Sequence, residues 1–181
     1  GGNSVNLVID GGVVLSSDNA KNLELAAQSA DSYLGVDGCT GISQQSGDLE
    51  NIANLVPPLI GQSFSVNSVN DVAILEFVPT GDTLQFNYIF GSDEYLTWIN
   101  TGYNDIFAFF LSGPGITGPY AAPPGFPNGA INIAQVPNSD PPLPITISSV
   151  NPNINAEYYI NNPNHDNIDI NGYTTTLNAF H

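Results

Sequence analysis

The sequence predicts an all-β fold, a jelly-roll-like β-sandwich with one or two short helices near its N-terminal part. From about residue 63 onward, short apolar runs follow one another and are separated by Gly, Pro and Asn, which is typical of strands joined by turns. Apolar residues make up 41% of the chain and charged residues only 10%, against a usual charged share of about 25%. Burial between two sheets is therefore expected to stabilise the fold.

Helical spacing is confined to the N-terminal part. A hairpin around Asp10-Gly11 is predicted first. A helix capped by Ser17 or Asp18 follows and stops at Gly35, and a shorter helix starts at Asp48 and is expected to end before Pro57-Pro58. The apolar positions of the two helices are Ala20, Leu23, Ala27, Ala30 and Leu34 in the first, and Leu49, Ile52 and Leu55 in the second.

Two segments carry the clearest strand patterns. In residues 83–90, Leu84, Phe86, Tyr88 and Phe90 fall on one face and Gln85 and Asn87 on the other, which predicts a half-buried strand. Residues 105–111 are apolar on both faces, which predicts a central strand. Further strands are predicted at 63–68, 72–78, 130–136, 145–150, 157–160 and 172–180, with turns at Asn128-Gly129, Pro141-Pro142, 161–164 and Asn171-Gly172, and with residues 112–129 as a long loop.

The length of 181 residues suits a single domain spanning 1–181. The formal net charge is −16, and Lys21 is the only Lys or Arg. Binding of nucleic acid or of anionic membrane surfaces is therefore excluded, since both need several cationic side chains. No apolar run is long enough to cross a membrane, so direct membrane insertion and a signal peptide are not expected. One cysteine, Cys39, cannot form an intramolecular disulfide.

The most polar segment joins the two most hydrophobic strands, at residues 91–105. Its acids and amides, Asp93, Glu94, Asn104 and Asp105, provide the oxygen ligands that Ca²⁺ prefers, and a loop folded between two strands can bring them together. The alternative is that the acids are solvated and that Asn104-Asp105 is a turn. A second segment, residues 167–172, imitates half of an EF-hand loop, but an Asn-Gly turn is the better interpretation because no Glu closes the pattern.

Aromatic side chains share the same loop. Tyr95, Trp98 and Tyr103 are predicted to stack on the apolar faces of sugar rings, with Asn100 contacting hydroxyls. Packing in the core is the alternative for these rings.

Enzymatic interpretations have little support in the sequence. The two histidines, His165 and His181, have no spacing that suggests a zinc site. Because the chain has seventeen acids, many pairs of carboxylates could meet the requirement for glycoside hydrolysis. The presence of such a pair therefore does not indicate that activity. The chain is therefore predicted not to be an enzyme.

Three blocks of sequence resemble the choice-of-anchor L domain: DVAILEF at 71–77, FNYIFGSDEY at 86–95 and NDIFAFFLSGP at 104–114. Blocks at 12–17, 132–137, 145–151 and 172–177 occur in the same order. The resemblance implies a secreted bacterial module of large surface proteins, often exported by type IX secretion and displayed as adhesins. Family members usually carry more strands at both ends, so the chain resembles a middle portion or a processed piece. Asp93 and Asn171 stand where the family commonly has Glu and Asp.

Together these observations predict a non-enzymatic, secreted adhesion or surface-display module that Ca²⁺ stabilises. The expected partners are surface glycans or neighbouring copies of a surface protein. Two alternatives stay open: a structural subunit of an extracellular filament whose sheets are completed by neighbouring strands, and an enzyme acting on polysaccharides.

Overall fold

The computed structural model describes residues 11–15, 47–67, 69, 78, 80–164, 168 and 170–181. They form one α-helix, α1 (Gly47–Leu59), a short 3₁₀ helix (Ala156–Tyr158) and nine short strands. The strands are β1 (Gln85–Tyr88), β2 (Gly91–Ser92), β3 (Ile106–Phe107), β4 (Phe110–Leu111), β5 (Ile131–Asn132), β6 (Ile145–Thr146), β7 (Tyr159–Asn161), β8 (Gly172–Thr174) and β9 (Leu177–Phe180). The prediction of an all-β chain with a short helix in its N-terminal part is confirmed.

Among the described residues, all strand pairs are antiparallel and form small sheets. One sheet has the order β2-β8-β7, and the pairs β1-β9, β3-β6 and β4-β5 form the others. In the β1-β9 pair, Gln85 lies opposite Phe180 and Tyr88 opposite Leu177. Partners distant in sequence thus bring the C-terminal strands beside β1 and β2, where the candidate loop begins.

The helix α1 buries the face made by Leu49, Ile52, Ala53 and Val56, which recur at helical spacing. Leu55, expected on the buried face, is 49% exposed. The helix also continues through Pro57 and Pro58 to Leu59 instead of ending before them. A proline removes only its own N–H bond, and the carbonyl oxygens of Val56 and Pro57 still accept N–H groups from Ile60 and Gln62.

The alternation predicted for residues 83–90 is confirmed. Tyr88 and Phe90 are buried, Phe86 is half-buried, and Gln85 and Asn87 are exposed. The buried residues belong to a core that also includes Val56, Tyr95, Ala134, Val136, Leu143, Ile145, Ile147, Val150, Leu177 and Ala179.

The predicted central strand at 105–111 is divided into β3 and β4. Between them, the N–H of Phe109 donates to the side-chain Oδ1 of Asn132 over 3.1 Å. The same Oδ1 accepts the N–H of Ala134 over 3.0 Å. A side-chain amide thus replaces a backbone carbonyl and interrupts the ladder.

The strand predicted at 145–150 ends after Thr146 for a similar reason. The hydroxyl of Ser149 accepts the N–H of Thr146 over 2.8 Å, and the carbonyl oxygen of Thr146 accepts the N–H of Val150 over 3.1 Å. These local bonds form a fully buried turn at residues 147–149. Ser148 in this turn holds the candidate loop, as described below.

Other predicted strands and turns have mixed outcomes. Residues 62–67 form no strand, and residues 157–160 are divided between the 3₁₀ helix and β7. Asn171-Gly172 does not form the expected two-residue turn, because Gly172 already pairs in β8 with Ser92 and Asn161. The predicted helix at 18–34, the strand at 72–77 and residues 5–10 and 16 of the hairpin lie outside the described residues. Residues 11–15 of the hairpin are described and form no strand.

Candidate functional site

The 91–105 loop, which runs from β2 to the start of β3, is closed at its base by Ser92. The Ser92 hydroxyl donates to Asp105 Oδ2 over 2.6 Å and accepts the N–H of Glu94 over 2.9 Å. Ser92 is buried. One hydroxyl therefore ties together the two ends of the loop, which brings the acids Glu94 and Asp105 close to each other.

Farther along the loop, Ser148 from the buried turn holds two asparagines. Its hydroxyl accepts the N–H of Asn100 over 2.8 Å, and its own N–H donates to Asn104 Oδ1 over 3.2 Å. Ser148 has no solvent exposure. Sequence reasoning did not identify this residue, because it lies more than forty residues from the loop and carries no local signal. Ser92, two residues before Glu94, had the spacing of a hydroxyl-capped turn.

Short-range bonds shape the tip of the loop. The N–H of Trp98 donates to the Glu94 carbonyl over 3.1 Å, and the Thr101 hydroxyl donates to the Trp98 carbonyl over 2.7 Å. Leu96 and Asn100 have positive φ angles of 70° and 60°, a conformation uncommon outside glycine. These hydrogen bonds and the positive φ angles of Leu96 and Asn100 determine how the loop folds back on itself.

Two acids of the loop, Glu94 and Asp105, have raised pKa values. Burial, followed by the negative charges of Asp105 and Asp93, raises the pKa of Glu94 to about 7. Desolvation by surrounding protein also raises the pKa of Asp105, while the hydrogen bond from Ser92 lowers it. Asp105 nevertheless keeps solvent-exposed surface, as does Asp93. The chain's one Lys lies outside the described residues, so no Lys or Arg in the described part neutralises this pair.

Several polar atoms of the loop are buried and have no hydrogen-bond partner. They are Glu94 Oε2, Tyr95 OH, Asn100 Oδ1 and Asn104 Nδ2. Such atoms are costly unless a ligand or water satisfies them. Asn104 is 3% exposed, and its oxygen is already used by Ser148.

The predicted ligand set is thus only partly assembled. Asp105 lies close enough to Glu94 for its negative charge to raise the pKa of Glu94. The backbone carbonyl of Asp93 accepts a hydrogen bond from Asn171 Nδ2. No group of three His, Cys, Asp or Glu side chains suited to a metal occurs among the residues that the structure describes. A hard cation at this position would therefore depend on amide or carbonyl oxygens and water besides the two carboxylates.

The four residues predicted to contact a sugar lie in two different environments. Tyr95 is 1% exposed and packs against Tyr159 and Phe90, with ring centroids 4.9 and 6.3 Å apart. It therefore belongs to the core and offers no face to a ligand. The side-chain oxygen of Asn100 is buried as well. Trp98 and Tyr103 are exposed and contact each other.

Small antiparallel sheets, one short helix and a hydrogen-bonded acidic loop define a strand-rich, all-β domain. The chain belongs to the Choice-of-anchor L domain family, whose family model matches residues 1–181. It is thus a bacterial surface-associated module of a cell-surface protein, from a surface-anchoring family that is not a known enzyme family. No curated protein and no solved structure matches it. Within the described residues, no helix has the length and apolar character needed to cross a membrane.

Proposed function

We propose that the chain is a calcium-stabilised extracellular module for adhesion or surface display within a larger cell-surface protein. The observation that supports calcium most directly is the set of unpartnered oxygens in the 91–105 loop. Glu94 Oε2 and Asn100 Oδ1 are buried acceptors without donors, and the neighbouring Asp105 adds a second carboxylate. A divalent cation satisfies acceptors and reduces carboxylate repulsion at the same time, which water does less effectively.

The chemistry of this donor set favours a hard cation. It contains carboxylate and amide oxygens, and neither histidine nor cysteine occurs in the loop. Ca²⁺ accepts such oxygens in flexible geometry and keeps water in open positions. Asp105, with its exposed surface, would lie on the side from which an ion enters. Asn104 would support the site through Ser148, and Asp93 would lower the local potential.

Calcium titration followed by calorimetry and by thermal unfolding tests this proposal. We expect saturable binding and a higher melting temperature in calcium than in EDTA, because a ligand that binds only the folded state stabilises it. Asp105→Asn should weaken both effects. Glu157→Gln is the matched control, since it removes one carboxylate from an exposed position outside the loop. Identical melting curves in calcium and in EDTA would refute the proposal.

We also propose that the module is not an enzyme. Two surface depressions, of about 740 and 250 Å³, are lined mainly by proline, aromatic and aliphatic residues, and no acid, histidine or cysteine lines either of them. The first follows the 119–129 segment and the second lies beside Leu55 of α1. The carboxylates with perturbed pKa values lie instead in the 91–105 loop, where Glu94 Oε2 is buried. Turnover of a polysaccharide that is lost in Glu94→Gln would contradict this assignment.

Neighbouring copies are a second class of partner supported by one observation. Strand β7 is an outer strand of its sheet among the described residues, and Ile160 and Asn161 within it are exposed. An exposed strand edge is a template for pairing with another chain. Light scattering after size exclusion should then show concentration-dependent association, and a monomer at all concentrations would contradict it.

A further inference from the structure

The exposed aromatic pair at the tip of the 91–105 loop is the feature that the calcium site does not explain. Trp98 is 42% exposed and Tyr103 is 64% exposed. Their ring centroids lie 4.9 Å apart with an angle of 61° between the planes. We propose that this pair is a binding platform for the sugar rings of neutral glycans. The inference rests on the proposed surface function and names the chemistry of its partner.

Hydrogen bonds within the loop link the two aromatic residues to each other. The N–H of Tyr103 donates to the Thr101 hydroxyl over 3.2 Å, and that hydroxyl donates to the Trp98 carbonyl over 2.7 Å. Thr101 therefore links the backbones of the two aromatic residues. The N–H of Asn100, between them, is held by Ser148. A pre-organised pair loses little conformational entropy when it binds, so its apolar area is available for affinity.

The charge pattern around the rings indicates a neutral ligand. The ten residues 95–104 contain no charged side chain, and the acids Asp93, Glu94 and Asp105 lie at the two ends of the loop. The rings themselves attract cations only through cation–π interaction, and no carboxylate within residues 95–104 adds an ion pair to it. The net charge of −16 opposes an acidic polysaccharide. Uncharged hexose polymers need no ion pair at the rings and are not repelled by the net charge.

Neighbouring groups complement the rings. A pyranose ring has an apolar face that stacks on an aromatic side chain and hydroxyls that need hydrogen-bond partners. The side chain of Thr97 is exposed one residue before Trp98 and supplies a hydroxyl. The ring of Tyr103 lies beside the indole, with an angle of 61° between the two planes, and carries a phenolic hydroxyl. Together these groups offer one stacking face, one side wall and uncharged polar atoms.

The inner side of the same loop carries the proposed calcium site. Glu94 accepts the N–H of Trp98 through its backbone carbonyl, so a ligand that orders Glu94 also orders the residue that carries the indole. Glycan binding should therefore be stronger in calcium than in EDTA, although the sugar does not touch the ion. This coupling distinguishes the platform from a chance exposure of two rings.

Affinity electrophoresis in gels that contain dextran, mannan or galactomannan tests the platform, with alginate and polylysine as charged comparisons. We expect at least one neutral polymer to retard the protein, with little dependence on salt. Trp98→Ala and Tyr103→Ala should each weaken retardation about tenfold or more, as for aromatic anchors of other interfaces. Phe180→Ala is the matched control, because Phe180 is 64% exposed on β9, away from the loop, and should leave retardation unchanged.

Fluorescence gives an independent readout, since Trp98 is the only tryptophan in the chain. A neutral glycan that stacks on it should shift its emission to shorter wavelength. Retardation by none of the neutral polymers, preferential binding of alginate or polylysine, or an equal loss in Phe180→Ala would overturn the inference. If calcium raises the melting temperature while no neutral glycan binds, the platform is refuted and the calcium proposal stands.

Discussion

Glu94→Gln should change the pH dependence of stability in metal-free buffer. Burial and the nearby acids raise the pKa of Glu94 from 4.5 to about 7, so the folded state holds a proton that the unfolded state releases. Below the unfolded pKa both states are protonated and the raised pKa costs nothing. As the pH rises from 4.5 to about 7 the folded state is progressively destabilised, and above that range the full loss is present.

The magnitude follows from the two pKa values. A change from 4.5 to about 7 corresponds to roughly 3 kcal/mol if solvent screening is ignored. Glu94 is only partly buried, so screening reduces the loss to about 1–2 kcal/mol. Gln resembles the protonated acid in shape and does not titrate. The variant should therefore be more stable than the parent by this amount at neutral pH in EDTA, and equally stable at acidic pH.

Urea unfolding at a series of pH values, in EDTA and in calcium, measures this difference. In calcium the order should reverse, because the parent binds the ion through its carboxylate and the variant does not. Glu157→Gln controls for the loss of one negative charge at an exposed position. A stability difference between parent and Glu94→Gln that is the same at every pH in EDTA would refute the reasoning.

Three further substitutions test the structure around the loop and the core. Ser148→Ala removes the hydroxyl that accepts the N–H of Asn100 and should lower the free energy of unfolding by about 1–3 kcal/mol, as measured in urea; no loss would mean that this bond does not hold the loop. Tyr88→Phe removes a buried hydroxyl without a partner and should be neutral or stabilising by up to about 1 kcal/mol, and a large destabilisation in thermal melts would argue for a hidden partner. Ile145→Ala empties a fully buried position in the core and should cost about 2–5 kcal/mol; a cost near zero by the same urea assay would place Ile145 outside the core.

Strand β1 (Gln85–Tyr88), within the predicted 83–90 segment, could be predicted because its apolar and polar residues alternate in burial. Tyr88 and Phe90 are buried and Asn87 is exposed, as the period of two requires. The helix around Ile52 could be predicted for the same reason, from its spacing of buried positions. Its end could not, because tertiary packing buries Pro57 and tolerates the missing N–H.

The strand ends and the details of the loop could not be predicted, because side chains compete there for backbone hydrogen bonds. Asn132 and Ser149 each accept a backbone N–H that could otherwise bond to a neighbouring strand. The sequence does not show which polar side chain will accept such an N–H. In the loop, the location of the acids was readable from composition. The burial of Tyr95 and the role of Ser148 depend on contacts with distant residues.

Pairing between distant strands has a consequence for how the chain acquires its structure. Thr174 in β8 accepts the N–H of Phe90 through its hydroxyl, 84 residues earlier in the chain, and Asn178 in β9 reaches Asn87 across 91 residues. Contacts between residues so far apart in the sequence slow folding. A chain that crosses a membrane from its N-terminus onward would leave its Phe-rich middle segment exposed to solvent until the last strands have crossed. A chaperone that prevents aggregation at that stage would therefore help the chain to fold.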